Sequence, residues 1–172
     1  MTLTSDPAGS PFLELPQGPF SGRTEFARLV RQALAAAAAQ GWREMVWCDP
    51  DFGAWPLGER LVAQSLHDWA GSGRKLTVLA EHYDAVRGQH ARFVTWRQTW
   101  SHVVECRKSG AVSAGRLPSA LWSPGWVFER LDRQRCTGVA GSDSARRMAL
   151  GERLAEHLAA SSPGFSATVL GL

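Results

Sequence analysis

A chain of 172 residues, 44% of them hydrophobic, is about the size of one domain and can bury a core without disulfides or metal ions. Its formal net charge is only +3, because 19 basic residues are offset by 16 acidic ones, so charge alone does not indicate nucleic-acid binding. The three cysteines are widely spaced and form no Cys-x-x-Cys pair. This pattern is typical of buried thiols in a reducing compartment and argues against a zinc site.

The N-terminal region has no basic segment followed by an apolar stretch, so no signal peptide is predicted. The alanine run from Ala35 to Ala39 is too short to cross a bilayer. We therefore expect a cytoplasmic protein without a membrane span. Residues 1–20 are rich in Pro, Gly and Ser, which predicts a flexible N-terminal arm, and residues 21–172 are expected to form a single domain.

Segments typical of helices and strands alternate through the first part of that domain. Apolar residues recur at helical spacing from Phe26 to Ala37, whereas Glu44–Cys48 and Lys75–Ala80 are short apolar runs typical of strands buried on both faces. Two further helices and a third strand are predicted at Leu57 to Ala70, at a stripe containing Phe93, Trp96 and Trp100, and at Val103 to Arg107. This alternation is the pattern of right-handed crossovers between parallel strands.

The last part of the chain has a different pattern. Strands are predicted at Ala120–Trp122 and Trp126–Leu131, joined across Ser123-Pro124-Gly125, and a helix is predicted from Asp143 to Ala160. The predicted fold class is therefore α/β, with a mainly parallel central sheet and helices on both faces.

Three stretches, together with this order of elements, are informative about the family of the chain. They are Cys48-Asp49-Pro50-Asp51-Phe52, the segment from Asp84 to His90, and Gly138 to Asp143 before the last helix. With them, the chain from Ser21 to Ser162 resembles one half of the phospholipase D superfamily, in particular a group of small bacterial phospholipase-D-like domains of uncharacterised role. The resemblance implies a phospholipase-D-like topology. It also implies a homodimer, since the halves of that family pair with each other.

The catalytic motif of the superfamily is missing from this chain. The enzymes bring together two His-x-Lys-x4-Asp motifs, in which the His attacks phosphorus and the Lys binds phosphate oxygens. Matched by element order, the three motif positions fall at Pro118, Ala120 and Gly125, and none of the five histidines is followed two positions later by Lys. Without the nucleophile the covalent route is lost. The resemblance therefore implies a degenerate half that acts as a binding or assembly module.

Asp49 and Asp51 follow a predicted strand and allow two interpretations. As the start of a dehalogenase-like site, Asp49 is the nucleophile and Asp51 the general acid of a metal-dependent phosphatase with Mg²⁺. However, Phe52-Gly53 replaces the usual continuation of that motif, and no acidic pair ends a later strand. As a turn, the two Asp side chains bond their own downstream amides while Pro50 restricts the backbone. The phosphatase remains an open alternative.

Polar residues at the carboxyl ends of the predicted strands are the candidate ligand-binding set, because ligands of open α/β sheets lie there. Two histidines that flank an arginine add a possible anion site. The candidates are Asp49, Asp51, Glu81, His82, Tyr83, Arg87 and His90. No catalytic residue, metal ion or cofactor is predicted.

Nucleic-acid binding is a second alternative. Basic and aromatic residues interleave in one segment and are suited to stacking and backbone contacts; they are Arg92, Trp96, Arg97, Trp100, Arg107 and Lys108. Because the helical stripe places both tryptophans inward with Phe93, nucleic acid is expected to be an unlikely partner. Three other tryptophans, Trp55, Trp122 and Trp126, lie in or beside predicted turns and are candidates for a protein contact surface.

Overall fold

The computed structural model of the chain describes residues 14–166. Eight strands form one sheet in the order β1-β7-β6-β5-β2-β3-β4-β8. The strands are β1 (Gly18–Phe20), β2 (Glu44–Cys48), β3 (Lys75–Ala80), β4 (Val104–Lys108), β5 (Ser119–Trp122), β6 (Val127–Asp132), β7 (Thr137–Gly141) and β8 (Ser162–Pro163).

The prediction of a mainly parallel sheet is wrong. Of the seven neighbouring pairings in the sheet, only β2 with β3 and β3 with β4 are parallel. The strands from β5 to β7 follow one another through tight turns, and a tight turn can connect only antiparallel neighbours. The resulting mixed sheet keeps its parallel part at β2, β3 and β4, where helices provide the crossovers.

Helices cover both faces of the sheet, as the sequence predicts, but residues 14–166 contain five α-helices where four were predicted, because Asp84–Gln89 forms an additional short helix. Helices α1 to α4 share one apolar cluster with β2 and β3, whereas α5 packs on the opposite face against a smaller cluster. Among residues 14–166, no helix has the length and apolar character needed to cross a membrane. The helices are α1 (Arg23–Gln40), α2 (Arg60–Trp69), α3 (Asp84–Gln89), α4 (Ala91–Thr99) and α5 (Ser144–Ala159).

Helix α1 follows directly from its apolar stripe. The predicted residues from Phe26 to Ala37 are buried, and Leu34 is 1% exposed; full burial of one such leucine contributes about 1.5 to 3 kcal/mol. The helix ends at Gln40, and the C-cap residue Gly41 has a φ of 68°, in the left-handed region that glycine adopts without steric cost.

The predicted flexible arm is only partly described, because residues 1–13 lie outside the described range. The remainder, residues 14–20, contains β1, which pairs antiparallel with β7. The Phe20 ring packs against Phe26 and Phe128 in the core, and Trp126 Nε1 donates a hydrogen bond to the Pro16 carbonyl oxygen. This part of the arm is therefore an edge of the sheet.

The tryptophans beside turns do not form a contact surface. Trp55 is 1% exposed and Trp126 is 3% exposed, and both belong to the main core cluster. Trp122 is half-buried and its Nε1 donates to the Arg147 carbonyl oxygen of α5. The turns that carry these side chains fold back onto the sheet, which the local sequence does not reveal.

Candidate functional site

Asp49 lies directly after β2 and is fully buried. Its Oδ2 accepts hydrogen bonds from the backbone N–H groups of Asp51, at 3.1 Å, and of Phe52, at 2.7 Å. Its Oδ1 accepts a hydrogen bond from Arg130 Nη2 at 2.9 Å. The turn places Phe52 at a φ of 60°, a conformation that a non-glycine residue adopts only with support from its surroundings. Both oxygens of Asp49 are therefore occupied by structural bonds.

Arg130 is the buried partner of Asp49 and comes from β6 on the antiparallel side of the sheet. Its Nε donates to Ser119 Oγ at 3.0 Å, and Nη1 lies 3.5 Å from Cys136 Sγ. The guanidinium carbon lies 4.6 Å from the centre of the Phe26 ring. A buried ion pair is tolerated only when its remaining donors are satisfied. These contacts therefore identify Arg130 as a structural clamp that joins β6 to the turn after β2.

Sequence reasoning missed Arg130, although a signal was present. In a strand, residues two positions apart share a face, so Arg130 lies on the same face as the buried Phe128. An arginine at an inward position requires a buried acceptor. That requirement points to an acid elsewhere in the chain without identifying which one.

Asp51 is the half-buried second acid of the turn. Its Oδ1 accepts the Gly53 N–H at 2.8 Å, and its Oδ2 lies 3.6 Å from Arg133 Nη2. Because Asp49 is inaccessible and Asp51 bonds its own turn, the geometry favours the turn interpretation over the phosphatase. Within residues 14–166, no group of three or more His, Cys, Asp or Glu side chains is arranged to hold a metal ion.

The candidates after β3 also have structural partners. Pro50 O accepts the N–H groups of Glu81 and His82, which joins their loop to the Asp49 turn. Glu81 Oε1 accepts the Gly115 N–H at 2.7 Å, and the His82 side chain is exposed. The Asp49 turn and this loop therefore meet through backbone bonds, and their side chains do not converge on a common ligand position.

Tyr83 is buried, and its hydroxyl lies 2.7 Å from the Arg107 carbonyl oxygen and 3.1 Å from that of Val78. Burial raises the pKa of the Tyr83 phenol well above its usual value, so the hydroxyl is a neutral donor that binds β4 to β3. Its ring stacks on Phe165, with the ring centres 5.3 Å apart. Tyr83 thus supports the β4 edge of the sheet.

Arg87 and His90 do not form a joint anion site. Arg87 is exposed, with Nη1 at 3.8 Å from Asp84 Oδ1, and its guanidinium lies over the Phe165 ring. His90 is 5% exposed, and its Nε2 lies 2.8 Å from the Phe52 carbonyl oxygen. Because a carbonyl only accepts, Nε2 carries the proton and the imidazole supports the Asp49 turn.

A basic cluster that the sequence did not predict as a unit surrounds the N-terminus of α2. Arg31 of α1 contacts both carboxylate oxygens of Glu59 at 3.0 and 3.1 Å. Arg92 of α4 donates to the Gly58 carbonyl oxygen at 2.8 Å, and Arg60 is the exposed first residue of α2. We call Arg31, Arg60 and Arg92 the α2-end cluster.

The packing of the preceding loop produces this convergence. A Cβ atom on Gly58 would lie 2.7 Å from the Gln89 carbonyl oxygen. Only glycine therefore allows the loop to pack this closely against the junction of α3 and α4. The N-cap residue Glu59 makes no side-chain capping bond. The first N–H groups of α2, which carry a partial positive charge, are therefore accompanied by three guanidinium groups and one carboxylate.

The other residues of the predicted nucleic-acid segment lie elsewhere. Trp96 is 6% exposed and Arg97 is 7% exposed, which confirms that Trp96 points inward, and Trp100 is half-buried. Arg107 is bonded to Ser161. Only Arg92 of that segment joins the α2-end cluster, and base stacking on Trp96 is excluded by its burial.

Comparisons with known proteins give a similarity of fold. No protein-family model matches the chain, and no curated protein matches it. A solved structure of TrmBL2, described as an archaeal chromatin protein with a novel mode of DNA binding, aligns with a TM-score of 0.60 and 14% sequence identity. The alignment covers 87% of this chain and 54% of the TrmBL2 chain. This chain therefore shares a fold with a part of that protein.

Proposed function

We propose that this chain is a non-catalytic binding module whose ligand is nucleic acid, contacted through its phosphate backbone at the α2-end cluster. The observation that carries the proposal is the convergence of three arginines, from three different helices, on the N-terminus of α2. Helix N-termini bind phosphate through their free N–H groups, and guanidinium groups match phosphate geometry.

The proposal revises the expectation that nucleic acid is an unlikely partner. That expectation rested on the small net charge and on the inward tryptophans. The net charge describes the surface as a whole, and the orientation of the tryptophans concerns only base stacking. Backbone recognition requires neither, because phosphate contacts depend on local positive charge and carry no sequence information. The fold similarity to a DNA-binding chromatin protein is compatible with this ligand class.

The non-catalytic part of the proposal is supported by two independent features. The His-x-Lys-x4-Asp motif of the phospholipase D superfamily is missing, and Asp49 is enclosed in bonds to its own turn and to Arg130. We retain the resemblance to a single phospholipase-D-like half as part of the proposal. It predicts a homodimer, which size-exclusion chromatography with light scattering measures directly; a monomer at high micromolar concentration would contradict that part alone.

Salt-dependent DNA binding tests the ligand class. If three phosphates are neutralised, the slope of log affinity against log salt is about −2.7, so affinity falls roughly 40-fold between about 50 mM and about 200 mM salt. Fluorescence anisotropy with a labelled duplex of mixed sequence gives this slope. Absence of binding by the unmodified chain at low salt would reject the proposal.

A double variant assigns the contact to the α2-end cluster. Arg60→Gln combined with Arg92→Gln removes two charges and keeps a polar side chain at both positions. We expect the salt slope to lose about 0.9 for each arginine removed. Arg146→Gln is the matched control, because Arg146 is exposed on α5 at the opposite face of the sheet. Equal slopes in the double variant and the control would place the contact elsewhere.

A further inference from the structure

A second basic feature lies at the β4 edge of the sheet and is independent of the α2-end cluster. A cavity of about 580 Å³ opens there between α4, β4 and the segment after β8. Two arginines line it, Arg97 from α4 and Arg107 from β4, together with Ser101, Cys106 and Phe165. Its volume lies within the range of small-molecule sites, roughly 300 to 1,000 Å³.

Arg97 is a buried cation without a counter-charge among residues 14–166. The residue is 7% exposed, and in the described part of the chain its Nε and Nη1 have no hydrogen-bond partner. Nη2 donates to the Phe165 carbonyl oxygen over a long distance of 3.3 Å. The ion pairs of the described chain include no carboxylate bound to Arg97. A buried guanidinium in this condition is unfavourable unless an anion joins it.

The neutral groups beside Arg97 do not supply that anion. Burial raises the pKa of both Cys106 and Tyr83 above its usual value, and this effect is larger than the lowering of each pKa by the interaction with Arg97. Both are therefore uncharged at neutral pH. The contrast with Arg130 is informative, because the chain provides that other buried arginine with Asp49 and with Ser119.

Arg107 supplies a second fixed positive charge in the same cavity. Its Nε and Nη2 donate to Ser161 Oγ and Ser161 O at 2.9 and 2.8 Å, so the side chain is held in one orientation. Its Nη1 lies 3.5 Å from Glu105 Oε1, but the Glu105 side chain is 54% exposed. A solvated carboxylate at that distance offsets little of the charge. Two guanidinium groups therefore face the cavity with one weakly placed acid.

We propose that this cavity binds the terminal phosphate of a small phosphomonoester, with Arg97 and Arg107 as its phosphate-binding residues. A phosphomonoester carries a charge of about −1.5 to −2 at neutral pH, which matches two guanidinium groups. A nucleic-acid backbone phosphate carries a single charge and is flanked by sugars on both sides, so it does not reach a guanidinium that is recessed. The apolar wall at Val104 and Phe165 is available to the organic part of the ligand.

Binding requires one small rearrangement. The free Nε and Nη1 of Arg97 are covered by neighbouring atoms, and the bond to the Phe165 carbonyl oxygen is the weak point of that cover. The Phe165 ring is held by stacking on Tyr83, so only the Phe165 carbonyl group has to turn away from Arg97. An incoming phosphate oxygen then replaces a long bond to a neutral carbonyl by a bond between two oppositely charged groups, which is shorter and stronger.

Isothermal titration calorimetry with inorganic phosphate, adenosine 5′-monophosphate and a dinucleoside phosphodiester tests the proposal. We expect saturable binding of the first two, weaker binding of the diester, and a loss of about ten- to hundredfold in affinity in Arg97→Gln. Arg146→Gln on α5 is the control and is expected to retain the affinity. A shift of the Arg97 Nε–H resonance on addition of phosphate gives a direct readout at the residue.

Three outcomes would overturn this site. They are no binding of either phosphate probe at millimolar concentration, equal affinity in Arg97→Gln, and diester binding as tight as monoester binding. If Arg97→Gln does not fold by circular dichroism, Arg107→Gln replaces it, with a smaller loss expected because Arg107 is more exposed. Since the substitutions at Arg97 and Arg107 leave the α2-end cluster unchanged, the duplex experiment and this one fail or succeed separately.

Discussion

Removing one partner of the Asp49–Arg130 pair tests whether Asp49 is structural. In Asp49→Asn the side-chain carbonyl can still accept the N–H groups of Asp51 and Phe52, but the charge that balances Arg130 is lost. Both side chains of the pair are nearly inaccessible, at 2% and 0% exposure, so solvent does not replace the missing partner. Breaking such a buried pair typically costs about 3 to 5 kcal/mol. For a chain of this size, that lowers the melting temperature by roughly 6 to 20 °C.

Restoring charge balance separates this explanation from a general loss of packing. Arg130→Met removes the cation while keeping an apolar side chain over Phe26, and replacement of both members of a buried pair is often close to neutral. We therefore expect the double variant, Asp49→Asn with Arg130→Met, to be more stable than either single variant. Urea unfolding followed by tryptophan fluorescence gives the four free energies of this double-mutant cycle.

Two results would refute the structural interpretation. One is a loss of less than about 1 kcal/mol in Asp49→Asn, which is the size of a single ordinary hydrogen bond. The other is Mg²⁺-dependent turnover of a generic phosphate ester that disappears in the same variant, since that result would make Asp49 a nucleophile. Loss of stability without any turnover supports the clamp.

Two further predictions concern stability. Burial raises the pKa of the Cys48 thiol above its ordinary value of 9.0. The thiol's contribution to stability is therefore complete below about pH 9 and declines at higher pH by about 1.4 kcal/mol per pH unit. Cys48→Ala should flatten the urea-derived stability profile above about pH 9, and an unchanged slope would contradict this. Gly164→Ala should lower the free energy of unfolding by about 1 to 3 kcal/mol, because its Cβ would lie 2.9 Å from Lys108 N and from a Tyr83 ring carbon. Gly125→Ala is the control, because a Cβ there meets open space. Equal melting temperatures of the two variants would refute the close packing around Gly164.

The buried runs of the chain were predictable because their pattern is local. Glu44–Cys48 and Lys75–Ala80 are strands with the predicted bounds, since a short, mostly apolar run between turn residues is typical of a strand covered on both faces. The α1 stripe is equally local, because its buried positions repeat with the helical period. In these segments, the burial of each residue can be inferred from the types of the few residues before and after it in the sequence.

The strand at Thr137–Gly141 was not predicted, because its glycine residues are required by contacts with the neighbouring strands. A Cβ on Gly138 would collide with the Glu129 carbonyl oxygen and with the Phe20 ring, so this strand needs glycine to pass between β6 and β1. Glycine lowers strand propensity when judged locally. The requirement for it comes from a strand on each side, and β1, which contributes the Phe20 ring, lies at the other end of the described chain.

By itself, the sequence determined the main helices and the inner strands β2 and β3, and that the residues of the His-x-Lys-x4-Asp motif are missing. The tertiary structure alone decided the direction in which strands pair and which charges meet. Arg130 and Asp49 are 81 positions apart, and the α2-end cluster joins three helices. Such meetings depend on chain connection and close packing across the whole domain, because an electrostatic partner is selected by proximity in space, and a local pattern of residue types contains no information about that distance.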